Sequence, residues 1–175
     1  VPRGCDSMEK KIAFILSTTD CRLTIAENAH QLKKILANHK ELKSLETVIL
    51  MQEPSEEDLK AAKKASVKLL SFAAVQEEGR KKRNGSTEFT DAEMEKGTRD
   101  DIATIIFTSG TTGEPKGVML TQSNYLWQLE RTPYLLYGEP GDVWLSVLPV
   151  WHSFERLMQY VAIERTSALV YSKPL

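Results

Sequence analysis

Cysteine is scarce in this chain of 175 residues, where Cys5 and Cys21 are the two present. They lack the CxxC spacing of a redox or zinc site and fall short of a disulfide framework, so a reducing setting is expected and both read as bland thiols. A charge surplus is missing too. With 23 Lys+Arg against 24 Asp+Glu the formal net charge is −1, whereas binding along nucleic acid needs a basic excess, so no nucleic-acid partner is expected. The sequence has no run of about 18 apolar residues, and no charged N-terminal region leads into an apolar stretch, so it offers neither a spanning helix nor a signal peptide. Internal repeats and low-complexity tracts are absent. What is present is ordinary globular material, 41% hydrophobic and 27% charged, enough for a core in one domain or a piece of a larger one. These features together lead to the expectation of a soluble, cytoplasmic protein.

Both ends read as cut. Val1-Pro2-Arg3-Gly4 reads either as the scar of a cleavable tag or as native chain running through Cys5-Asp6-Ser7 into a helix that Asp6 or Ser7 caps. At the other end Ser172-Lys173-Pro174-Leu175 follows directly on a strand.

Between the ends, strands alternate with helices. Met8, Ile12 and Ile15 form a helical stripe, and Arg22–Ala26 reads as a short strand. Asn28 and Gln31 read as a cap for a helix over 28–42 that carries Leu32, Ile35, Leu36 and Leu42 on one face; His30 and His39 on it read as non-functional. Thr47–Met51 is an apolar, β-branched strand, and Pro54-Ser55 before three acids starts a helix expected to reach about Val67. Lys68–Phe72 is a weak strand, followed by a short charged helix. The alternation predicts an α/β fold, a mostly parallel sheet with flanking helices. Residues 1–78 form an α/β subregion, 79–101 with the run Arg80–Arg83 an exposed connector, and 102–175 the part that carries chemistry.

Ile102–Phe107 is the most strand-like run, and it feeds into Thr108-Ser109-Gly110-Thr111-Thr112-Gly113-Glu114-Pro115-Lys116-Gly117. Gly110, Gly113 and Gly117 permit positive φ, so backbone N–H groups can turn inward around an anion. Thr108, Ser109, Thr111 and Thr112 add hydroxyl donors, Pro115 stiffens the loop, and Lys116 supplies a point charge for phosphate oxygens. The Walker A loop does not fit, because Lys116 precedes Gly117 and Val118-Met119-Leu120 continues as a strand instead of a helix. The segment FTSGTTGEPKG resembles the phosphate-loop signature of the adenylate-forming (AMP-binding) superfamily, which includes acyl-CoA synthetases, luciferases and peptide-synthetase adenylation domains.

Asp142–Pro149 reads as another buried strand, and Val150-Trp151-His152 turns into a helix capped by Ser153 with Phe154, Leu157, Met158 and Val161 on its apolar face. Ligands of open α/β sheets bind beyond the carboxyl ends of strands, which places this turn and the Thr-rich loop at one crevice. LPVWHSFER is similar to the motif of the long-chain fatty acid CoA ligase and acyl-carrier-protein synthetase branch, where it lines the acyl and adenylate pocket. That resemblance implies acyl contacts for Trp151, His152, Ser153 and Phe154, with Glu155 and Arg156 in local pairs. It further implies part of the N-terminal domain of an ATP-dependent long-chain fatty acid ligase, the alternatives being a catalytically inactive truncated piece and an adenylation domain for another carboxylic acid. Its substrates would be ATP, a long-chain fatty acid, and coenzyme A or an acyl-carrier protein. Mg2+ would be held mostly by residues outside this chain, and Lys116 would act electrostatically in catalysis. The segments that hold adenine, ribose and magnesium in relatives, and a second domain with a catalytic lysine, are assigned to none of these residues. Arg165-Thr166-Ser167 departs from the pattern by lacking a glycine. Peripheral membrane contact of the parent and self-association of this piece complete the expectations.

Overall fold

The computed structural model describes residues 8–108, 115–132 and 136–172. The Asp6/Ser7 helix start and Cys5 lie outside them. The chain divides into two compact units, Cys5–Glu95 and Lys96–Leu175.

In the first unit α1 (Glu9–Thr18), β1 (Leu23–Ala26), α2 (Ala29–Ala37), β2 (Thr47–Leu50), α3 (Glu56–Lys64) and β3 (Lys68–Ser71) alternate. The strands form one parallel sheet in the order β1-β2-β3, with Ile25 opposite Ile49 and Ile49 opposite Leu70. Leu32, Val48 and Leu50 are fully buried in a cluster with Ala13, Ala26, Ile35, Leu42, Leu45 and Val67. Each such Leu or Val contributes about 1.5–3 kcal/mol on leaving water.

Local chemistry sets the helix starts. The Asn28 side chain accepts the Gln31 N–H at 3.1 Å, as its spacing predicts. The Ser55 hydroxyl accepts from the Asp58 N–H while the Asp58 carboxylate accepts from the Ser55 N–H and hydroxyl, which closes a capping box. The helix ends differ from expectation. α2 stops at Ala37, where Asn38 donates its amide to the Lys34 carbonyl, and a string of turns then carries Leu42 and Leu45 into the core. α3 stops at Lys64 because Ser66 turns left-handed, at φ 58°.

α4 (Phe72–Arg83) and α5 (Glu88–Met94) occupy much of the stretch expected as a connector. It is exposed but largely helical. Arg80 and Lys81 pair with Glu77, and Lys82 with Glu78, so much of this basic run is paired along its own helix.

The second unit holds β4 (Ile102–Thr108), β5 (Lys116–Thr121), α6 (Gln122–Arg131), β6 (Val143–Ser146), α7 (Ser153–Glu164) and β7 (Ala168–Tyr171). Its pairings make two small sheets: β4 and β5 run antiparallel, while β6 and β7 run parallel with Leu145 opposite Val170. The protein is therefore α/β with mostly parallel pairing, divided among three sheets. β6 is shorter and more exposed than its sequence suggests. α7 packs on the β6–β7 pair, and the strand face bearing Val143, Leu145 and Val170 is open, with Val143 69% exposed.

Three helices, α1, α3 and α7, end alike. Asp20, Ser66 and Thr166 adopt positive φ, and the next N–H reaches back five residues: Cys21 to Leu16 O, Val67 to Ala62 O and Ser167 to Ala162 O. These are Schellman ends built without glycine.

Candidate functional site

The Thr-rich loop joins two antiparallel strands. Thr108 and Lys116 are direct partners at the end of the β4–β5 ladder, so the two ends of the Thr-rich segment are held side by side. Ser109, Gly110, Thr111, Thr112 and Gly113 lie outside the described residues. Both closing residues are exposed, and Lys116 takes part in no ion pair among the described residues. A strand and not a helix follows Lys116, so the Walker arrangement is excluded by structure as well as spacing.

Gly117 has a different purpose from the one its sequence context suggests. It takes no positive φ; a Cβ there would lie 3.1 Å from Ile105 Cγ2 and 3.2 Å from Phe107 Cζ. The Phe107 ring covers the glycine opposite it across the ladder. Bare backbone beside Lys116 is thus favoured by packing rather than by turn geometry.

The second motif is a strap over residues 147–152 between β6 and α7. His152, and not Ser153, caps α7: its Nδ1 accepts the Phe154 N–H at 3.3 Å, and its own N–H donates to Pro149 O at 2.8 Å. With Nδ1 accepting, the ring proton of neutral His152 sits on Nε2. Trp151 is half-buried, while His152, Ser153 and Phe154 are exposed. Glu155 and Arg156 do not pair with one another. Glu155, 5% exposed, accepts from Ser146 Oγ, Leu148 N–H and Gln159 Nε2. Arg156 reaches Tyr160 Oη and Val150 O.

α6 packs on α7, and between them lies a cleft of about 490 Å³ lined chiefly by Leu120, Tyr125, Trp127, Phe154 and Leu157. Tyr125 is buried edge-on against Tyr160, ring centroids 5.1 Å apart, and burial pushes its phenol above the ordinary tyrosine value against the pull of Arg156. A smaller cavity of about 130 Å³ also borders Phe154, against Leu145, Leu148, Glu155 and Met158. β5 gives the cleft Leu120 and α7 gives it Ser153 and Phe154, while Thr108, Lys116, Trp151 and His152 are not among its lining residues. No hydrogen bond or ion pair links Thr108 or Lys116 to Trp151 or His152 among the described residues.

A family model described as AMP-binding enzyme matches residues 1–175. The chain belongs to the AMP-binding enzyme family. The AMP-binding chain is 34% identical over 157 residues to long-chain-fatty-acid–CoA ligase 6 of Mus musculus, covering 86% of this chain and 21% of that one. It is 29% identical over 163 residues to a chloroplastic long-chain-fatty-acid–[acyl-carrier-protein] ligase of Arabidopsis thaliana, covering 91% and 22%. It therefore spans about one fifth of the length of these relatives. Among solved structures, a Vibrio cholerae adenylation domain in complex with glycyl-adenosine-5'-phosphate aligns with TM-score 0.70 at 14% identity, over 98% of this chain and 31% of that one. The luciferase-like enzyme of the mealworm Zophobas morio aligns with TM-score 0.64 at 21% identity, over 97% and 35%. These two likenesses establish the fold, and this AMP-binding chain accounts for only the N-terminal part of it.

Sequence reasoning missed the contribution of α6 to the AMP-binding chain's cleft. Tyr125 and Trp127 lie in the helix just after the Thr-rich hairpin, and their bulk beside a phosphate-loop strand was the available signal. It also missed Glu155, two of whose three partners precede it by seven and nine residues. Among the described residues no cluster of three or more His, Cys, Asp or Glu is placed to hold a metal, and no helix is long and apolar enough to cross a membrane.

Proposed function

We propose that this chain is part of an ATP-dependent ligase that activates a long-chain fatty acid as its adenylate and passes the acyl group to a thiol. The observation that carries the reading is the hairpin closed by Thr108 and Lys116 leading directly, through β5 and α6, into the apolar cleft faced by Phe154. In this scheme a carboxylate oxygen of the fatty acid attacks the α-phosphorus of ATP. The bond from that phosphorus to the bridging oxygen breaks, and pyrophosphate leaves. A thiolate then attacks the acyl carbon, and AMP leaves with the carboxyl oxygen it gained. Lys116 acts as neither acid nor base and offsets charge developing on the phosphate oxygens, assisted by the hydroxyls of Thr108, Ser109, Thr111 and Thr112. Mg2+ bound with ATP would supply further charge compensation, from ligands mostly outside this chain. Trp151, His152, Ser153 and Phe154 take the acyl side.

Relatives named for coenzyme A and for acyl-carrier protein both match, so the thiol is either coenzyme A or a carrier-protein phosphopantetheine. The 175-residue chain alone is not expected to turn over, because the adenine, ribose and magnesium segments implied by the family resemblance fall on none of its residues. Its open β6–β7 face and strand edges favour self-association. A cytoplasmic enzyme in peripheral contact with membranes fits a fatty acid substrate.

The test is carboxylate-dependent ATP–pyrophosphate exchange by the longer enzyme. Losing a charge-assisted contact costs about 1.5–3 kcal/mol, so Lys116→Ala should slow exchange roughly 10- to 100-fold. Unchanged exchange would remove Lys116 from the site.

A further inference from the structure

Glu155 is buried, yet no described ion pair compensates it. Its neighbours are all donors: Ser146 Oγ and Gln159 Nε2 on Oε1, and the Leu148 N–H at 3.3 Å on Oε2. An acceptor-only carboxylate meets that set, and its place in the first turn of α7 adds the favourable field of the helix N-terminus. Ser146 ends β6 and Leu148 opens the strap, so one side chain ties strand, strap and helix together. Besides the bond from the His152 N–H to Pro149 O and the half-buried Trp151, the strap has little else to hold it. Val147 is 62% exposed, Leu148 41% and Val150 38%, and the Arg156 contact to Val150 O is long at 3.5 Å. Where burial is slight, a few hydrogen bonds decide local order.

We propose that Glu155 is a positioning residue, a clasp that fixes the strap carrying Trp151 and His152 and so sets the helix start from which Ser153 and Phe154 line the α6–α7 cleft for the acyl substrate. The clasp itself rests on geometry; its effect on the acyl substrate rests on the ligase reading above. It acts through acceptor geometry, not through net charge. A glutamine can keep its oxygen on the Leu148 N–H while its amide donates to Ser146 Oγ, since the hydroxyl rotates to accept and Gln159 can present its own oxygen. Alanine can do neither.

Hydrogen–deuterium exchange on the 175-residue chain tests the clasp, comparing wild type with Glu155→Ala and Glu155→Gln. Glu155→Ala should speed exchange at Leu148 about tenfold or more, with Glu155→Gln within about threefold of wild type. Amides late in α7, at Tyr160–Glu164, and those of the first unit should not change. Unaltered exchange at Leu148, a uniform rise along α7, or a glutamine variant as fast as alanine would each overturn the proposal. In the longer enzyme Glu155→Ala should raise the KM for palmitate about tenfold and leave the KM for ATP in place. An equal rise in both would overturn the link to the acyl side. A wild-type enzyme without fatty-acid-dependent exchange would count against the ligase reading, and amide exchange alone would then decide the clasp.

Discussion

Thr166 and Gly117 show single residues under opposite backbone demands. Thr166 sits at φ 52°, a region that costs a β-branched residue roughly 1–2 kcal/mol and costs glycine nothing sterically. Glycine loses about 0.5–1 kcal/mol through its freer unfolded chain. Thr166→Gly should therefore stabilise the protein by about 0.5–1 kcal/mol, read as a higher urea midpoint. At Gly117 the constraint is space. An alanine Cβ needs the Phe107 ring to yield a few tenths of an ångström, whereas the branches of valine would displace it. Gly117→Val should cost about 1–3 kcal/mol in urea unfolding, and Gly117→Ala clearly less. The missing glycine at 166 was legible in the sequence; the role of Gly117 was not, because Phe107 lies ten residues away and meets it only across the ladder.

At the scale of the element, the capping box of α3 ties helix stability to pH. Hydrogen bonds from the Ser55 hydroxyl and N–H, with a smaller contribution from Lys33, hold the Asp58 carboxyl below the ordinary aspartate value, against its burial. A lowered folded-state value means stability that is fully present above the unfolded-chain value of about 3.9 and lost as pH falls through the folded one. The gap in urea midpoint between wild type and Asp58→Asn should hence close as pH is lowered from about 6 toward 3. A gap independent of pH would show that the carboxylate charge contributes nothing. Ser55→Ala should cost about 1 kcal/mol at neutral pH, measured the same way. This start could be read from Pro54-Ser55 and the acids after it because every partner lies within one turn. The start of α7 could not. Ser153 has the residue type of a cap, but the bond from Pro149 O to the His152 N–H places His152 at the cap position instead.

The whole molecule distributes its core unevenly. The buried cluster around Leu32, Val48 and Leu50 belongs entirely to the unit Cys5–Glu95, while the second unit buries polar groups such as Thr104, Ser146 and Glu155 beside Tyr125, Val161 and Ala162. Limited proteolysis should consequently cut first within the second unit and leave a stable piece ending near Glu95, identified by mass spectrometry. Survival of 96–172 in preference to that piece would contradict this ordering of stability. The open face of Val143, Leu145 and Val170 gives a companion prediction: Leu145→Lys should shift the chain toward monomer in sedimentation experiments.

The sequence by itself determined the α/β alternation, the helix starts at Asn28 and Ser55, and the Gly- and Thr-rich loop whose residue types mark the family. Each of these depends on residues within a turn or a strand of one another, where propensity and hydrogen-bonding capacity act without the rest of the chain. Only the tertiary structure decided how the strands divide into sheets, that Phe107 crowds position 117, that α6 supplies a wall of the cleft, and that Glu155 reaches back to Ser146 and Leu148. Those depend on which surfaces meet across turns and between elements, and a buried carboxylate is distinguished from an exposed one only by the donors that packing brings to it.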